Sequence, residues 1–206
     1  PIINTIKSNM AYIFINRDGP AIHPGSRNYE RSWIRDGSLT STALLEFGVQ
    51  DEVRKYIDWY AKYQFPSGKI PCVVDTRGAD PVNEHDSHGQ FIYAVMQYYN
   101  FTKDTAWMRA KFDIIVKTVR YIQSLRAERK TDVYKTGTPE QRACYGLVPE
   151  SISHEGYSAK PMHSYWDDFF ILRGLKVGTT IGTILGENKL AGEFAVERDD
   201  FRKDLY

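Results

Sequence analysis

Two short runs hold the residues whose types and spacing could do chemistry. The first is Tyr29-Glu30-Arg31-Ser32-Trp33-Ile34-Arg35-Asp36-Gly37, and the second is His163-Ser164-Tyr165-Trp166-Asp167-Asp168-Phe169-Phe170. An aromatic face covers the apolar side of a pyranose. An Arg beside an Asp grips vicinal hydroxyls, which both donate and accept hydrogen bonds. In the second run, two adjacent carboxyls next to an indole crowd one another. That crowding raises a carboxyl pKa and keeps a proton available near neutral pH. Each run also reads as a plain helix start. Asp36 before Gly-Ser-Leu fits an N-cap. Ser164-x-x-Asp167 fits a capping box with Asp in place of Glu, and the helix dipole favours acids in a first turn.

Weaker candidates lie between these runs. In Asn83-Glu84-His85-Asp86-Ser87-His88, Asp86 can cap a helix and the two histidines sit three apart. No further ligand set accompanies them, so neither a metal site nor a cofactor is expected. Glu150-Ser151-Ile152-Ser153-His154-Glu155 can line the same pocket as the Asp-Asp pair, or be solvated loop. No Ser-His-Asp or Cys-His arrangement and no Gly-rich phosphate loop stands out.

The elements that must position these residues are helical. Most of the 206 residues follow helical periodicity and few segments alternate. Helices are expected over 36–47, 50–64, 87–101, 103 to about 126, 164–185 and from 188 to the end. Lys69–Val74 is expected as a short extended piece. Tight turns at Gly48-Val49, Asn100-Phe101-Thr102 and Gly186-Glu187 make three αα-hairpins. Long loops after Gln64 and Arg126, and the segment before Asp36, then fall at one end of the array. Gly174, Gly178, Gly182 and Gly186 recur every four residues and predict close helix packing. Charged and hydroxyl residues interrupt that stretch, so it is not a membrane span.

Composition narrows the partners. Net charge is +1, with 27 basic and 26 acidic residues interspersed, which argues against nucleic acid or an anionic membrane. Aromatics reach 14%, with 14 tyrosines, a composition that suits sugars and also serves ordinary cores. Cys72 and Cys144 have no metal-ligand spacing, and the compartment is left unknown. The chain starts at Pro1 and stops at Tyr206 within a helical pattern, so residues 1–206 are expected to be one partial domain of a longer protein.

Tyr29-x-x-x-Trp33-x-Arg35-Asp36, followed by a helix and later by Tyr165-Trp166-Asp167-Asp168, resembles the six-hairpin glycosidases. The match is to glucoamylase-type family 15 glycoside hydrolases, and Ser164-Tyr165-Trp166-Asp167 also resembles the trehalase-like enzymes. Asp-Asp where glucoamylases have Glu-Glu is a departure from the first of these families. The resemblance implies an all-α (α/α)6 toroid, of which three hairpins, about half, are present here. It implies inverting hydrolysis of an α-glucoside or oligosaccharide, without a cofactor. Asp167 is the implied general acid, with Asp168 as the alternative. Tyr29, Trp33, Arg35, Asp36 and Trp166 are the implied sugar contacts, with Glu150 and His88 as further candidates. The catalytic base is expected on the remaining half of the barrel. A phosphorylase of the same clan, a non-catalytic sugar-binding protein and an α-solenoid module are the alternatives. A solenoid should show a fixed repeat, and none is found between the hairpins.

Overall fold

The computed structural model describes residues 1–156 and 158–206. Nine α-helices are found among them: α1 (Ile2–Ile15), α2 (Ile34–Glu46), α3 (Gln50–Tyr60), α4 (Asp86–Thr102), α5 (Thr105–Ala127), α6 (Asp132–Thr136), α7 (Pro139–Ala143), α8 (Tyr165–Ile184) and α9 (Asn188–Leu205). The protein is all-α, with the paired helices α2/α3, α4/α5 and α8/α9 as its body. Helix α4 packs against both α2 and α8, while α3, α5 and α9 cover their partners from one side. The first helices of the pairs therefore form one row and the second helices a layer on it.

The apolar faces read from periodicity are the ones buried. Val53, Tyr56, Ile57 and Tyr60 of α3 are at most 1% exposed, and Met108, Phe112, Ile115, Val119 and Ile122 of α5 are buried with them. Two hairpin turns share one construction. Gly48 (φ 75°) donates to Leu45 O and Val49 N–H donates to Leu44 O; Gly186 (φ 76°) and Glu187 donate in the same way to Thr183 O and Gly182 O. Both are Schellman turns, which need a residue tolerant of the left-handed region. The α4–α5 turn places Lys103 there instead, at φ 55°, with Asp104 capping α5 by accepting from Trp107 N–H at 2.9 Å.

Three readings change. Helix α2 begins two residues earlier than expected, with Trp33 at its N-cap, so Asp36 lies inside the first turn and is not the cap. The extended piece is shifted: β4 (Val73–Asp75) pairs with β3 (Ser32–Trp33) and β5 (Gly78–Ala79) in a small antiparallel sheet. A second ribbon pairs β1 (Arg17–Asp18) with β2 (Ala21–Ile22). The stretch expected as loop after Arg126 contains the short helices α6 and α7. Helix α1 buries none of its residues. Among the described residues, no helix is long and apolar enough to cross a membrane.

Candidate active-site cleft

Sheet pairing sets the first wall of the site. Bridging Ser32–Trp33 to Val73–Val74 ties the segment ahead of α2 to the loop ahead of α4. Together they flank a cleft of about 620 Å³, lined by Tyr29, Arg31, Trp33, Arg35, Asp36, Asp80, Val82 and Glu84, and closed by Ile152–His154 from the loop before α8. The three segments expected at one end of the array thus meet at one cleft. Trp33 offers an aromatic wall, with the Tyr29 ring 6.4 Å away and the Arg31 guanidinium 5.3 Å from its centroid.

The two sequence runs converge on a residue between them. Arg35 Nη1 donates to Glu84 Oε2 at 2.8 Å and to Asp86 Oδ2 at 3.2 Å. Trp166 Nε1 donates to the same Asp86 Oδ2 at 2.9 Å. Asp86, in the first turn of α4, therefore links α2 to α8 through one buried carboxylate oxygen. Asp36 stands alongside, with Oδ2 4.0 Å from Arg35 Nε and its side chain 34% exposed to the cleft. Burial raises the Asp36 and Glu84 carboxyls above their ordinary values, and Arg35 opposes that rise in both.

Asp167 lies one layer behind. It is 1% exposed and does not line the cleft. Oδ1 accepts from Asp86 N–H at 3.3 Å and Oδ2 accepts from Ser151 Oγ at 2.6 Å. Ser153, which does line the cleft, donates its N–H to Ser151 Oγ at 2.8 Å. Ser153 is held at φ 50°, a conformation that costs a non-glycine residue about 1 kcal/mol or more. Burial pushes the Asp167 carboxyl up to about 7, against the opposing Ser151 hydrogen bond, and Asp86 adds to the rise. Asp168 is equally buried, accepts from Val148 N–H at 3.3 Å, and is raised to about 7 by burial. Ser164 makes no side-chain cap bond, so the capping-box reading does not describe α8. The Asp167 side chain bonds instead to distant segments.

The remaining candidates separate. Trp166 is half-buried and does not line the cleft, whereas the His154 ring, tilted 31° to the indole at 4.4 Å between centroids, does. Glu150 pairs with Arg129 and with His163 Nε2 at 3.3 Å, and does not line the cleft. Its pKa is lowered overall: burial would raise it, but the backbone, Arg129 and His163 outweigh that. His88 is fully buried in the body, edge-on to Tyr121 at 4.9 Å, and is kept neutral chiefly by burial. His85 lies beside it, 5.9 Å between ring centroids. Among the described residues no group of three or more His, Cys, Asp or Glu side chains could hold a metal ion.

Sequence reasoning passed over Asp75 and Asp80, which bind Arg31 Nε and Nη2 at 2.8 Å each. No local motif marks them. The β4–β5 turn brings both to Arg31, and Asp80 to the cleft itself.

These features define an all-α protein of paired helices with arginines, carboxylates and aromatic rings gathered in a cleft at one end. Its scaffold is one that a sugar-cleaving enzyme also has: a rhamnosidase from Klebsiella oxytoca, with rhamnose bound, superposes with a TM-score of 0.58 at 16% identity over 85% of this chain and 32% of that one. In sequence, 106 residues, 50% of the chain, are 26% identical to an uncharacterized glycosyl hydrolase of Methanocaldococcus jannaschii. The match spans 17% of that relative's length. No protein-family model matches the chain.

Proposed function

We propose that the complete protein hydrolyses glycosides, with the cleft as its sugar-binding wall. The observation that carries this reading is the meeting of Arg35 and Trp166 on Asp86 beside the Trp33 face. Two runs far apart in sequence are fixed as one constellation, in an arrangement suited to a pyranose. The glycoside-cleaving relatives support the same class of chemistry.

In this reading Arg35 and Asp36 hold ring hydroxyls, and Trp33 and Tyr29 cover the apolar face. Asp167 donates the proton to the leaving oxygen. Its raised pKa supports that role, since a general acid must be protonated near the working pH. Segment 151–153 separates Asp167 from the cleft, so the acid acts once that segment has shifted. Asp36 is a second candidate, because its carboxyl already faces the cleft and is raised by burial. Inversion places a base ~6.5–9.5 Å from the acid, on the far side of the sugar. We assign that base to a part of the barrel outside this chain. An α-glucoside or short oligosaccharide is the proposed substrate. A phosphorylase and a non-catalytic sugar-binding protein are the rivals.

Hydrolysis of α- and β-glycosides by the complete protein, with and without phosphate, separates the three. Asp167→Asn should lower turnover of poor leaving groups by 10²- to 10⁴-fold, on the order expected for a lost general acid, and spare activated aryl glycosides. If Asp36→Asn shows that selectivity and Asp167→Asn does not, the acid is Asp36.

A further inference from the structure

Two arginines in a cleft would ordinarily announce an acidic ligand, since a guanidinium fork matches a carboxylate. Here both are already engaged. Arg31 gives Nε to Asp75 and Nη2 to Asp80, each at 2.8 Å, and its guanidinium lies 5.3 Å from the Trp33 ring centroid. Arg35 gives Nη1 to both Glu84 and Asp86, and its Nε edge faces Asp36 at 4.0 Å. Each guanidinium therefore meets two or three protein carboxylates before any ligand arrives. The two arginines face five acids in all. Of the other cations nearby, Arg77 pairs with Asp75 and is 75% exposed, and Lys69 Nζ donates to Pro81 O and Asn83 Oδ1 rather than to a carboxylate.

We propose that the cleft is a charge filter that admits uncharged sugar residues and turns away uronates and sulfated sugars, with Asp80 and Glu84 as the determinants. An anionic sugar would have to share an arginine with carboxylates that cannot leave. In a cleft partly shielded from water, like charges at contact range repel far more than in bulk solvent. A hydroxyl needs only one donor and one acceptor, and arginine N–H groups beside carboxylate oxygens supply both. Asp80 lines the cleft and its other oxygen accepts from Val82 N–H at 3.0 Å, so Asn at this position keeps the loop bond while removing the charge.

The inference rests on the glycosidase reading, and its test distinguishes the two. Using the complete protein, kcat/KM is measured for 4-nitrophenyl glycosides in matched pairs, glucose with glucuronic acid and galactose with galacturonic acid, in both anomers. The neutral member of an accepted pair should win by at least about tenfold at low salt. That preference should shrink as salt rises toward about 0.5 M, where the screening length falls to a few ångströms. Asp80→Asn should narrow the ratio by about threefold or more, and Asp80→Glu should restore it. Equal or better use of the uronide, or a ratio that neither salt nor Asp80→Asn changes, overturns the filter. The salt series needs no variant, so a misfolded Asp80→Asn leaves the test standing. No turnover of any neutral glycoside would instead overturn the glycosidase reading and take the filter with it.

Discussion

Arg35 and Arg126 are each surrounded by carboxylates, and the two clusters are used in opposite ways. Arg126 is 1% exposed. It donates Nε to Gly146 O at 2.8 Å and Nη2 to Asp200 at 3.1 Å and Asp204 at 2.7 Å, pairs with Glu197, and lies 4.8 Å from the Phe201 ring centroid. Its fork is closed by protein on every side, and it clamps α5, α9 and the loop at Gly146 together. Arg35 has comparable partners, but 18% of its side chain is open and it lines the cleft. The difference teaches that an arginine–carboxylate cluster is structural or functional according to what reaches it. The residue types alone do not distinguish the two.

The sharpest way to break the comparison is to remove each cation. Arg126→Met should be the more damaging, at about 2–3 kcal/mol, because it leaves the Gly146 carbonyl without its donor, Glu197 without its cation, and Asp200 and Asp204 with Lys130 alone. A denaturant titration reads this directly, and a loss below about 1 kcal/mol would mean the sealed cluster is not a clamp. Arg35→Met should be milder for folding, about 1–2 kcal/mol, since Trp166 still donates to Asp86 and Glu84 can turn toward water. Its main effect should fall on sugar affinity, lowered at least about tenfold, or ~1.4 kcal/mol. If both variants lose stability equally and sugar binding survives Arg35→Met, the proposed division of roles is wrong.

The fold was legible where periodicity decides it, and the site only where a motif is local. The α3 and α5 stripes and the Gly48 and Gly186 turns depend on neighbours within a few residues, and each sits where expected. Arg35, Asp36, Trp33 and Tyr29 were legible for the same reason, since one run carries them to one wall. Asp75 and Asp80 were not, because their role depends on a β-turn pairing with a strand some forty residues upstream. Arg126 and its acids were invisible as a cluster, since more than 70 residues separate Arg126 from Glu197, Asp200 and Asp204. Exposure was the other blind spot. Nothing in Trp166-Asp167-Asp168 says that both acids are buried, that Ser151 holds Asp167 and Val148 holds Asp168, or that the His154 ring lies against the indole.

Asp168 sharpens the comparison from the sealed side. It accepts from Val148 N–H, two residues beyond the carbonyl that Arg126 holds, so both groups pin the same loop. Burial raises its carboxyl to about 7 from an ordinary value near 3.8. Between those values the folded state binds a proton that the unfolded state has released. The stability it contributes is therefore present at acid pH, falls as pH rises from about 4 to about 7, and is flat above that. Asp167, also raised to about 7, contributes a slope of the same sign. Asp168→Asn keeps the acceptor for Val148 and removes one titration. Relative to the parent it should gain at least about 1 kcal/mol at pH 8 compared with pH 5. An unchanged difference between the two pH values would show that Asp168 is ionised in the fold.

The smallest expected effect sets the zero of the comparison, by altering the helices beneath both clusters without touching either. The glycines of α8 are expected from their spacing to act alike, and the structure divides them. A Cβ on Gly174 would come within 2.7 Å of Gly89 Cα on α4, a backbone contact that forces the two helices apart. On Gly178 the nearest atoms are Val119 Cγ2 at 3.6 Å and Phe194 Cδ2 at 3.7 Å, ordinary packing distances. Alanine in a helix interior is favoured over glycine by ~0.5–1 kcal/mol, because glycine loses more backbone freedom on folding. Gly178→Ala should therefore be neutral to slightly stabilising, raising the melting temperature by no more than a few degrees. Gly174→Ala should destabilise by ~1–3 kcal/mol, as expected of an overpacked contact. It should also disturb sugar binding, since α4 and α8 supply Asp86 and Trp166 to the Arg35 network. Equal, small effects at both positions would mean that α4 and α8 are not held at the separation that aligns those two residues.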